Sequence, residues 1–223
     1  MANERFDCII SNVRNGISVA DIGCDHAYVS CKLVKLGISN RVYASDVRKG
    51  PLECAEANIA KCGYKNFIET HLRDGLDGIE EFSPDDIIIA GMGGELISRI
   101  IDKSAYVRNK NVHLILQPMT CSYELRVYLS QNGFEILDES LCRDSGKIYE
   151  IILCAYTGIP YTLSELSLHI GIKTRKEPLF KDFLLSKINK FTHILNGKRS
   201  SSADTSKEEE LINELKGLTE DQL

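Results

Sequence analysis

Short apolar segments alternate with amphipathic helical patterns between residues 17 and 156 of this 223-residue chain. A strand, a helix and a second strand form a βαβ unit, in which the two strands run parallel. Strands are predicted at 17–22, 41–46, 67–72, 85–90, 112–117, 133–142 and 147–156. Helices are predicted between them at 27–36, 51–63, 93–103 and 121–131. The alternation therefore predicts an α/β fold with a parallel, doubly wound sheet.

The last two predicted strands are joined differently from the others. Only Asp144-Ser145-Gly146 separates them, and these are favoured turn residues. Since the connection is a turn, the two strands should form a hairpin that is antiparallel to the rest of the sheet. Parallel strands closed by such a hairpin resemble the Rossmann-like sheet of class I methyltransferases, whereas a dehydrogenase sheet has parallel strands only.

A helical region follows the predicted sheet. Gly158-Ile159-Pro160 interrupts the pattern, and the apolar residues after it recur at helical spacing. The first stripe consists of Phe180, Leu184, Ile188, Phe191 and Leu195, and the second, in a helix that opens near Ser206, of Leu211, Leu215 and Leu218. Two helices packed along these stripes would form a short helical hairpin. We therefore predict one domain at 1–158 and a small, coiled-coil-like helical extension at 159–223.

The overall composition limits the remaining classes of protein. A hydrophobic content of 43% fits a globular protein, and no apolar run approaches the ~18 residues that a membrane helix needs. The first residues lack the apolar core of a signal peptide, so a cytoplasmic protein without a membrane partner is expected. The eight cysteines show neither C-x-x-C spacing nor nearby histidine pairs, which predicts no metal site and no disulfide framework. The oligomeric state stays open, with a monomer favoured.

The segment 19–28 places an apolar strand, a glycine turn and a helix start in nucleotide-binding order. A dinucleotide fingerprint would have three glycines here, but this chain has Gly23, then Asp25, then Tyr28. A pyrophosphate cradle is therefore disfavoured. A carboxylate beside the ligand suits a cationic one, and S-adenosylmethionine is the commonest cationic ligand that contains adenosine.

Acidic residues lie at the ends of three successive predicted strands. Because the carboxyl ends of parallel strands meet at one edge of a sheet, these side chains should line one ligand cleft. Asp21, with the turn at Gly23, is predicted to accept hydrogen bonds from the ammonium of the amino acid portion. Asp46 is predicted to accept both ribose hydroxyls. Asp74 is predicted to accept the exocyclic amine of adenine while the N–H of Gly75 donates to the ring. Each acid or glycine taken alone is also common in an ordinary turn.

The fourth predicted strand runs into Gly91-Met92-Gly93-Gly94. Glycines at a strand end indicate positive φ or close approach of the backbone to a ligand, which assigns Gly91 and Gly93 to the cofactor cleft. Methyltransferases that act on exocyclic amines often have an N/D-P-P-Y/F loop at this place. Its absence argues against amine methylation, and a glycine loop leaves room for a base to present a ring nitrogen.

Further polar residues are predicted on the substrate side of the cleft. Gln117, followed by Pro118 at the end of the fifth parallel strand, has both a donor and an acceptor for a base edge. His26 either orients Asp25, contacts the substrate or only caps a helix. The candidate catalytic residues are Asp25, His26, Tyr28, Met92, Gln117 and Pro118.

Four segments together carry a resemblance to a known family. In order and spacing, the residues at 21–28, 73–76, 90–94 and 114–118 resemble the bacterial tRNA (adenine-22 N1)-methyltransferases. The resemblance covers about residues 5 to 156, and the helical tail resembles that family's C-terminal domain in layout only. It implies methyl transfer from S-adenosylmethionine to N1 of an adenosine in the D-arm region of tRNA. Met119 departs from the family motif, which usually has asparagine after Gln-Pro.

The chemistry of adenine N1 is compatible with these residues. N1 is neutral and carries a lone pair at pH 7, so positioning and electrostatics should supply most of the rate without a strong general base. Positive charge develops on the adenine ring during transfer, and a nearby Asp25 carboxylate would stabilise it. Because N1 lies on the Watson–Crick edge, the base must be unpaired or flipped out, at a cost of about a few kcal/mol.

The cost of exposing the base requires binding elsewhere on the tRNA. The segment 171–199 is richer in basic than in acidic residues, although the whole chain has a net charge of −5. The predicted tRNA-binding residues are Lys173, Arg175, Lys176, Lys187, Lys190, Lys198 and Arg199. A solvated helix face is the alternative. Two other functions stay open: a class I methyltransferase that acts on a small molecule or protein, and a non-catalytic RNA-binding protein that depends on S-adenosylmethionine.

Overall fold

The computed structural model describes residues 4–201 and 204–220 and contains a seven-stranded sheet in the order β3-β2-β1-β4-β5-β7-β6. The strands are β1 (Ser18–Ile22), β2 (Arg41–Asp46), β3 (Ile68–Leu72), β4 (Asp86–Gly93), β5 (His113–Thr120), β6 (Phe134–Asp144) and β7 (Lys147–Tyr156). The pairs among β1 to β5 are parallel, and β7 is antiparallel to both β5 and β6. The predicted fold class, a parallel sheet closed by an antiparallel hairpin, is confirmed.

The helices are α1 (Glu4–Ser11), α2 (Tyr28–Lys35), α3 (Lys49–Cys62), α4 (Gly94–Asp102), α5 (Ser122–Gln131), α6 (Glu165–Ile170), α7 (Phe180–Ser200) and α8 (Ser206–Glu220). α2 to α5 follow the parallel strands as predicted, and α7 and α8 match the two apolar stripes of the tail. α1 was not predicted. It packs through Ile9 and Ile10, which are buried, and it is too short to give a periodic pattern over several turns.

The order of the strands reverses at β1, which lies between β2 and β4. The central strands are buried on both faces, with Ile87 and Ile89 in one apolar cluster and Ile88 in the other. Such continuous burial is typical of parallel strands covered by helices on both sides. In sheets of this kind, the crevice at the carboxyl ends of the strands beside the reversal is the usual ligand site.

β4 and β5 extend beyond their predicted ends at residues 90 and 117. Gln117 pairs with Ala90, and Pro118 pairs with Met92 across an irregularity in the ladder. Gly91 causes this irregularity because its φ is +77°, a conformation that places one extra residue in the strand. The glycine segment is therefore a bulged strand end, and the predicted open loop was wrong.

The helical tail packs on the hairpin of β6 and β7. Leu141 and Ile148 from the hairpin join an apolar cluster with Phe180, Leu184 and Leu215 from the tail. The tail thus packs on the sheet domain through an apolar cluster of its own, and contacts cross the predicted boundary at residue 158. Among the described residues, no helix combines the length and apolar character needed to cross a membrane.

Candidate active site

A cleft of about 540 Å³ opens at the carboxyl ends of β1, β2 and β4. It collects most of the residues that were predicted from separate parts of the chain. From the predicted cofactor set it is lined by Asp21, Gly23, Asp46, Asp74, Gly75 and Gly91, and from the predicted substrate set by Asp25, His26, Tyr28, Met92 and Gln117. The cleft therefore brings acidic, aromatic and glycine residues together in one place.

Gly93 and Pro118 do not line the cleft, contrary to their predicted roles. Gly93 is the last residue of β4, and a Cβ on it would lie 3.3 Å from Oγ1 of Thr120. Pro118 is buried in β5 opposite Met92. Both residues lie within the sheet because β4 and β5 are longer than expected. Direct contact of either residue with a ligand is therefore not supported.

Asp21 is a buried carboxylate at the base of the cleft. Its Oδ2 accepts a hydrogen bond of 2.6 Å from the hydroxyl of Ser30. Burial and, to a smaller extent, the neighbouring Asp46 raise the pKa of Asp21 to about 6, although the Ser30 hydrogen bonds oppose this shift. A buried acid of this kind favours its charged form when a cationic ligand arrives.

Asp46 holds two turns together at the end of β2. Its Oδ1 accepts a hydrogen bond of 2.9 Å from the N–H of Arg48, and its Oδ2 accepts one of 3.3 Å from the N–H of Asp25. Each carboxylate oxygen has a second lone-pair direction, so further donors can bind while these bonds stay in place. The carboxylate can therefore accept ligand hydroxyls and fix the Asp25 turn at the same time.

The turn after β1 depends on residues with positive φ. The φ angles are +72° at Gly23, +50° at Asp25 and +53° at Ala27. The N–H groups of Gly23 and Cys24 both donate to the carbonyl of Ser45, at 2.8 and 2.9 Å. A Cβ on Gly23 would overlap the terminal methyl of Met92. The left-handed backbone therefore accounts for glycine at position 23, since the flexible Met92 side chain can move aside.

The substrate side of the cleft has a row of stacked rings. The His26 ring stacks on Tyr28 with centroids 5.5 Å apart, and Phe6 of α1 stacks on Tyr28 at 6.3 Å. The Asp25 carboxylate lies 3.9 Å from Nε2 of His26. Tyr28 is 54% exposed, so a ring surface faces the solvent at the mouth of the cleft. These rings offer a flat surface on which a nucleobase can stack.

Arg5 and Phe6 of α1 line the cleft, and sequence reasoning missed both of them. The Arg5 guanidinium lies 5.3 Å from the centroid of the Phe6 ring and 5.4 Å from that of Tyr149. Its Nη1 donates to the sulfur of Met119 at 3.3 Å. The spacing of Phe6, Ile9 and Ile10 matches one helical face, but it spans too few turns to predict an N-terminal helix by itself.

Gln117 has a different task from the predicted one. Its side chain is fully buried, and its Oε1 accepts a hydrogen bond of 3.2 Å from the N–H of Gly91. Its Nε2 donates to the carbonyl of Pro118 at 2.9 Å. Because both ends of the amide are used within the chain, Gln117 positions the Gly91 bulge and does not present a free base-reading edge.

Asp74 and Gly75 form the far end of the cleft. The side chain of Asp74 is 63% exposed and lies 3.7 Å from Nζ of Lys103. Gly75 has a φ of +56°, and a Cβ there would meet Ile100 at 3.2 Å. A carboxylate, an N–H and the apolar surface of Ile100 are thus placed together, as recognition of an adenine ring requires.

A family model described as "Methyltransferase domain" (Methyltransf_18) matches residues 2–152. The chain belongs to this methyltransferase family. The matched region contains the whole cleft and nearly all of the sheet, and it ends before the helical tail.

Individual relatives cover the tail as well. The tRNA (adenine(22)-N(1))-methyltransferase of Bacillus subtilis is 28% identical over 220 residues, which are 96% of this chain and 92% of that protein. The crystal structure of the B. subtilis adenine-22 tRNA methyltransferase has a TM-score of 0.79 at 26% identity and covers 99% of this chain, with 96% of that chain covered. Sp1610 of Streptococcus pneumoniae, in complex with S-adenosyl-L-methionine, has a TM-score of 0.84 at 31% identity and covers 96% of this chain, with 99% of that chain covered. The family resemblance predicted from the sequence is confirmed.

The basic residues of this methyltransferase's tail fall into two groups. Lys176, Lys198 and Arg199 form ion pairs with Asp138, Glu208 and Glu209 respectively, at 2.6 to 2.8 Å. Lys187 is only 15% exposed and pairs with Glu150 at 2.9 Å, so its predicted contact with RNA is not supported. Within the described ranges, ion-pair partners are absent for the exposed residues Lys173, Arg175 and Lys190.

Gly94 is required where α4 of the methyltransferase domain approaches the next crossover. A Cβ on Gly94 would overlap the carbonyl oxygen of Cys121, and backbone cannot move aside as a flexible side chain can. We expect Gly94→Ala to lower the free energy of unfolding by about 2–4 kcal/mol, measured by urea denaturation. Gly50→Ala in α3 is the matched control, because a Cβ there meets nothing within 4 Å. Equal stability of the two variants would contradict the steric argument.

Proposed function

We propose that this protein transfers a methyl group from S-adenosylmethionine to N1 of the adenosine at position 22 of tRNA. The observation that carries the proposal is the acidic cleft on a chain similar over its whole length to the tRNA (adenine(22)-N(1))-methyltransferase of B. subtilis. The S-adenosyl-L-methionine complex of the S. pneumoniae relative supports the same cofactor. A cytoplasmic location follows from a tRNA substrate, and a monomer stays the expectation.

The donor set of the cleft fits S-adenosylmethionine. A volume of about 540 Å³ is in the usual range for small-molecule sites. The buried Asp21 would hold the ammonium group, Asp46 the ribose hydroxyls, and Asp74 with Gly75 the adenine. The bound cofactor supplies an electrophilic methyl group. In contrast, the missing fingerprint glycines leave no cradle for a pyrophosphate, which favours this cofactor over a dinucleotide.

Residues at the mouth of the cleft would hold the target base. His26 and Tyr28 provide a stacked ring surface. Gly91 lines the cleft without a side chain and would leave space there for the incoming ring. Asp25 lines the cleft, and its carboxylate would stabilise the positive charge that develops on a bound adenine without removing a proton. Among tail residues, Lys173, Arg175 and Lys190 are the best placed to contact the tRNA backbone.

Binding of the cofactor is expected to depend on pH through Asp21. Because the pKa of Asp21 is about 6 and a cationic ligand binds its charged form, a proton must leave before binding at lower pH. The affinity should therefore fall by up to about tenfold per pH unit below pH 6 and level off above pH 7. Isothermal titration between pH 5 and 8 measures this. Asp21→Asn should bind more weakly and lose the dependence, whereas a flat wild-type profile would remove Asp21 from the ammonium site.

Incubation with unmodified tRNA and S-adenosylmethionine tests the proposed reaction. Nucleoside mass spectrometry and mapping of the modified position should find 1-methyladenosine at position 22. Binding of the tRNA should weaken steeply as salt is raised, whereas a small neutral substrate would show little salt dependence. Methylation of the exocyclic amine would disprove the ring-nitrogen chemistry. Bound cofactor without methyl transfer to tRNA would favour a protein that binds RNA and does not catalyse.

A further inference from the structure

A second groove, of about 590 Å³, lies on the other side of Tyr28 from the cleft. We call it the Tyr64 groove. Its walls are formed by Phe6, Tyr28, Lys35, Leu36, Asn58 and Tyr64. Phe6 and Tyr28 also line the cleft, so the two cavities share a wall. The function proposed above assigns nothing to this groove.

A hydrogen bond links one wall residue of the Tyr64 groove, Asn58, to the active-site turn. Nδ2 of Asn58 donates a hydrogen bond of 2.9 Å to the carbonyl of His26. Tyr28, which begins α2 immediately after this turn, lines both cavities. A molecule bound in the groove would therefore lie next to whatever occupies the mouth of the cleft.

The chemistry of the groove fits a nucleotide. The half-buried Tyr64 contributes an aromatic ring to the groove, and Leu36, which is 53% exposed, adds an apolar rim. The ammonium of Lys32 is paired with Asp7 at 2.5 Å, but the exposed Lys35 has no ion-pair partner in the described part of the chain. Aromatic surface beside an unpaired cation binds a base by stacking and its phosphate by charge. A second protein copy would need about 800 Å² of buried surface on each partner, more than this narrow rim provides.

We propose that the Tyr64 groove binds a nucleobase adjacent to the target adenosine in the tRNA, with Lys35 paired to its phosphate. The proposal rests on the function proposed above. Extrusion of the target base removes its stacking on the neighbouring base, which leaves a free aromatic face. Stacking of that face on Tyr64 would offset part of the cost of extrusion. The groove would thereby hold the substrate in its opened form.

Alkylation of cysteines gives a test that does not depend on activity. Cys62 is exposed and lines the groove, and Cys54 is exposed on the same helix but outside it. With S-adenosylhomocysteine and saturating unmodified tRNA, we expect alkylation of Cys62 by N-ethylmaleimide to slow at least tenfold and that of Cys54 to stay unchanged. If a gel shift shows that tRNA is bound but Cys62 is still alkylated at the original rate, the groove proposal is overturned and the proposed function is not. Absence of both binding and methylation would overturn the proposed function.

Kinetics of protein variants test the two groove residues that would contact the tRNA. Tyr64→Ala and Lys35→Ala should each raise KM for tRNA about tenfold and leave kcat and cofactor affinity unchanged, since stacking and charge are lost only on the substrate side. Tyr64→Phe should behave like the wild type, and Lys61→Ala, which removes an exposed lysine outside the groove, is the charge control.

The decisive comparison uses tRNAs with an abasic nucleotide on either side of the target adenosine. One of them should raise KM for the wild type as much as Tyr64→Ala does, and it should raise KM of the Tyr64→Ala variant no further. Additive effects with both abasic tRNAs, or a normal KM for Tyr64→Ala, would overturn the proposal while methylation at position 22 still held.

Discussion

Replacement of Arg126 by methionine is expected to destabilise the protein by about 3–5 kcal/mol, the usual cost of breaking a buried ion pair from one side. Arg126 is fully buried in α5. Its Nε donates to Oε1 of Glu139 at 2.8 Å, and its Nη2 donates to Oε2 of Glu150 at 2.7 Å. The variant would leave two buried carboxylates with only the Lys187 ammonium to balance them.

A double variant separates charge from packing. Glu139→Gln added to Arg126→Met restores neutrality, because Glu150 and Lys187 then remain as a balanced pair. The amide oxygen can still accept the N–H groups of Ile172 and Lys173, which the Glu139 carboxylate accepts at 2.6 and 2.9 Å. We expect urea denaturation to show that the double variant regains part of the lost stability. A double variant less stable than Arg126→Met would show that packing dominates.

Acid should weaken the same network. Burial raises the pKa of Glu150, but the charges of Lys187 and Arg126 and their hydrogen bonds more than compensate and lower it to about 2. A carboxylate whose pKa is lower in the folded than in the unfolded state stabilises the protein at neutral pH. That contribution is lost as the pH falls from the ordinary value near 4.5 towards 2. This acid sensitivity should therefore be smaller in Arg126→Met.

This network joins the tail to the sheet domain, so the tail cannot be removed without disturbing the fold. Lys187 on α7 and the backbone N–H groups of Ile172 and Lys173 complete a polar cluster that belongs to the sheet domain. Removal of the chain after Gly158 would strip these partners from Glu139 and Glu150 and expose the apolar cluster around Leu141. Truncation would thus confuse loss of RNA binding with loss of folding, so substitutions at exposed lysines are the cleaner test.

The local pattern of apolar residues was sufficient to predict most strands of the sheet. It could not predict contacts between side chains that are distant in the sequence. The apolar runs around Ile87 and Leu114 predicted strands, and in the structure both residues are fully buried. The role of Lys187 depends on Glu150, 37 positions earlier, and helical periodicity carries no sign of such a partner. The same holds for Gln117, whose acceptor is used by Gly91 across a ladder that extends further than propensity indicated.

The acidic residues of the cleft were predictable because topology alone brings strand ends together. Asp21 and Asp46 lie near the carboxyl ends of the neighbouring parallel strands β1 and β2, and the register pairs Asp21 with Ala44. Arg5 and Phe6 also line the cleft, but the order of the strands could not predict this. They belong to α1, which precedes β1 and is not part of a βαβ unit. Residues supplied by the sheet were found, and residues supplied by an added helix were missed.

Asp25→Asn is expected to reduce kcat for tRNA methylation on the order of 10- to 100-fold and to change cofactor affinity little. Removal of a charge that stabilises a transition state usually costs ~100-fold or more, and the 61% exposure of this carboxylate reduces that figure through solvent screening.

Asparagine tests the role of the Asp25 charge more cleanly than alanine does. It tolerates the φ of +50°, and its backbone N–H can still donate to Asp46, so only the negative charge is lost. Asp77→Asn, an exposed acid outside the cleft, is the matched control. Single-turnover rates and isothermal titration separate the two effects. Equal losses in turnover and cofactor affinity would move Asp25 to the cofactor site, and an unchanged kcat would show that stacking and positioning suffice for attack by a neutral ring nitrogen.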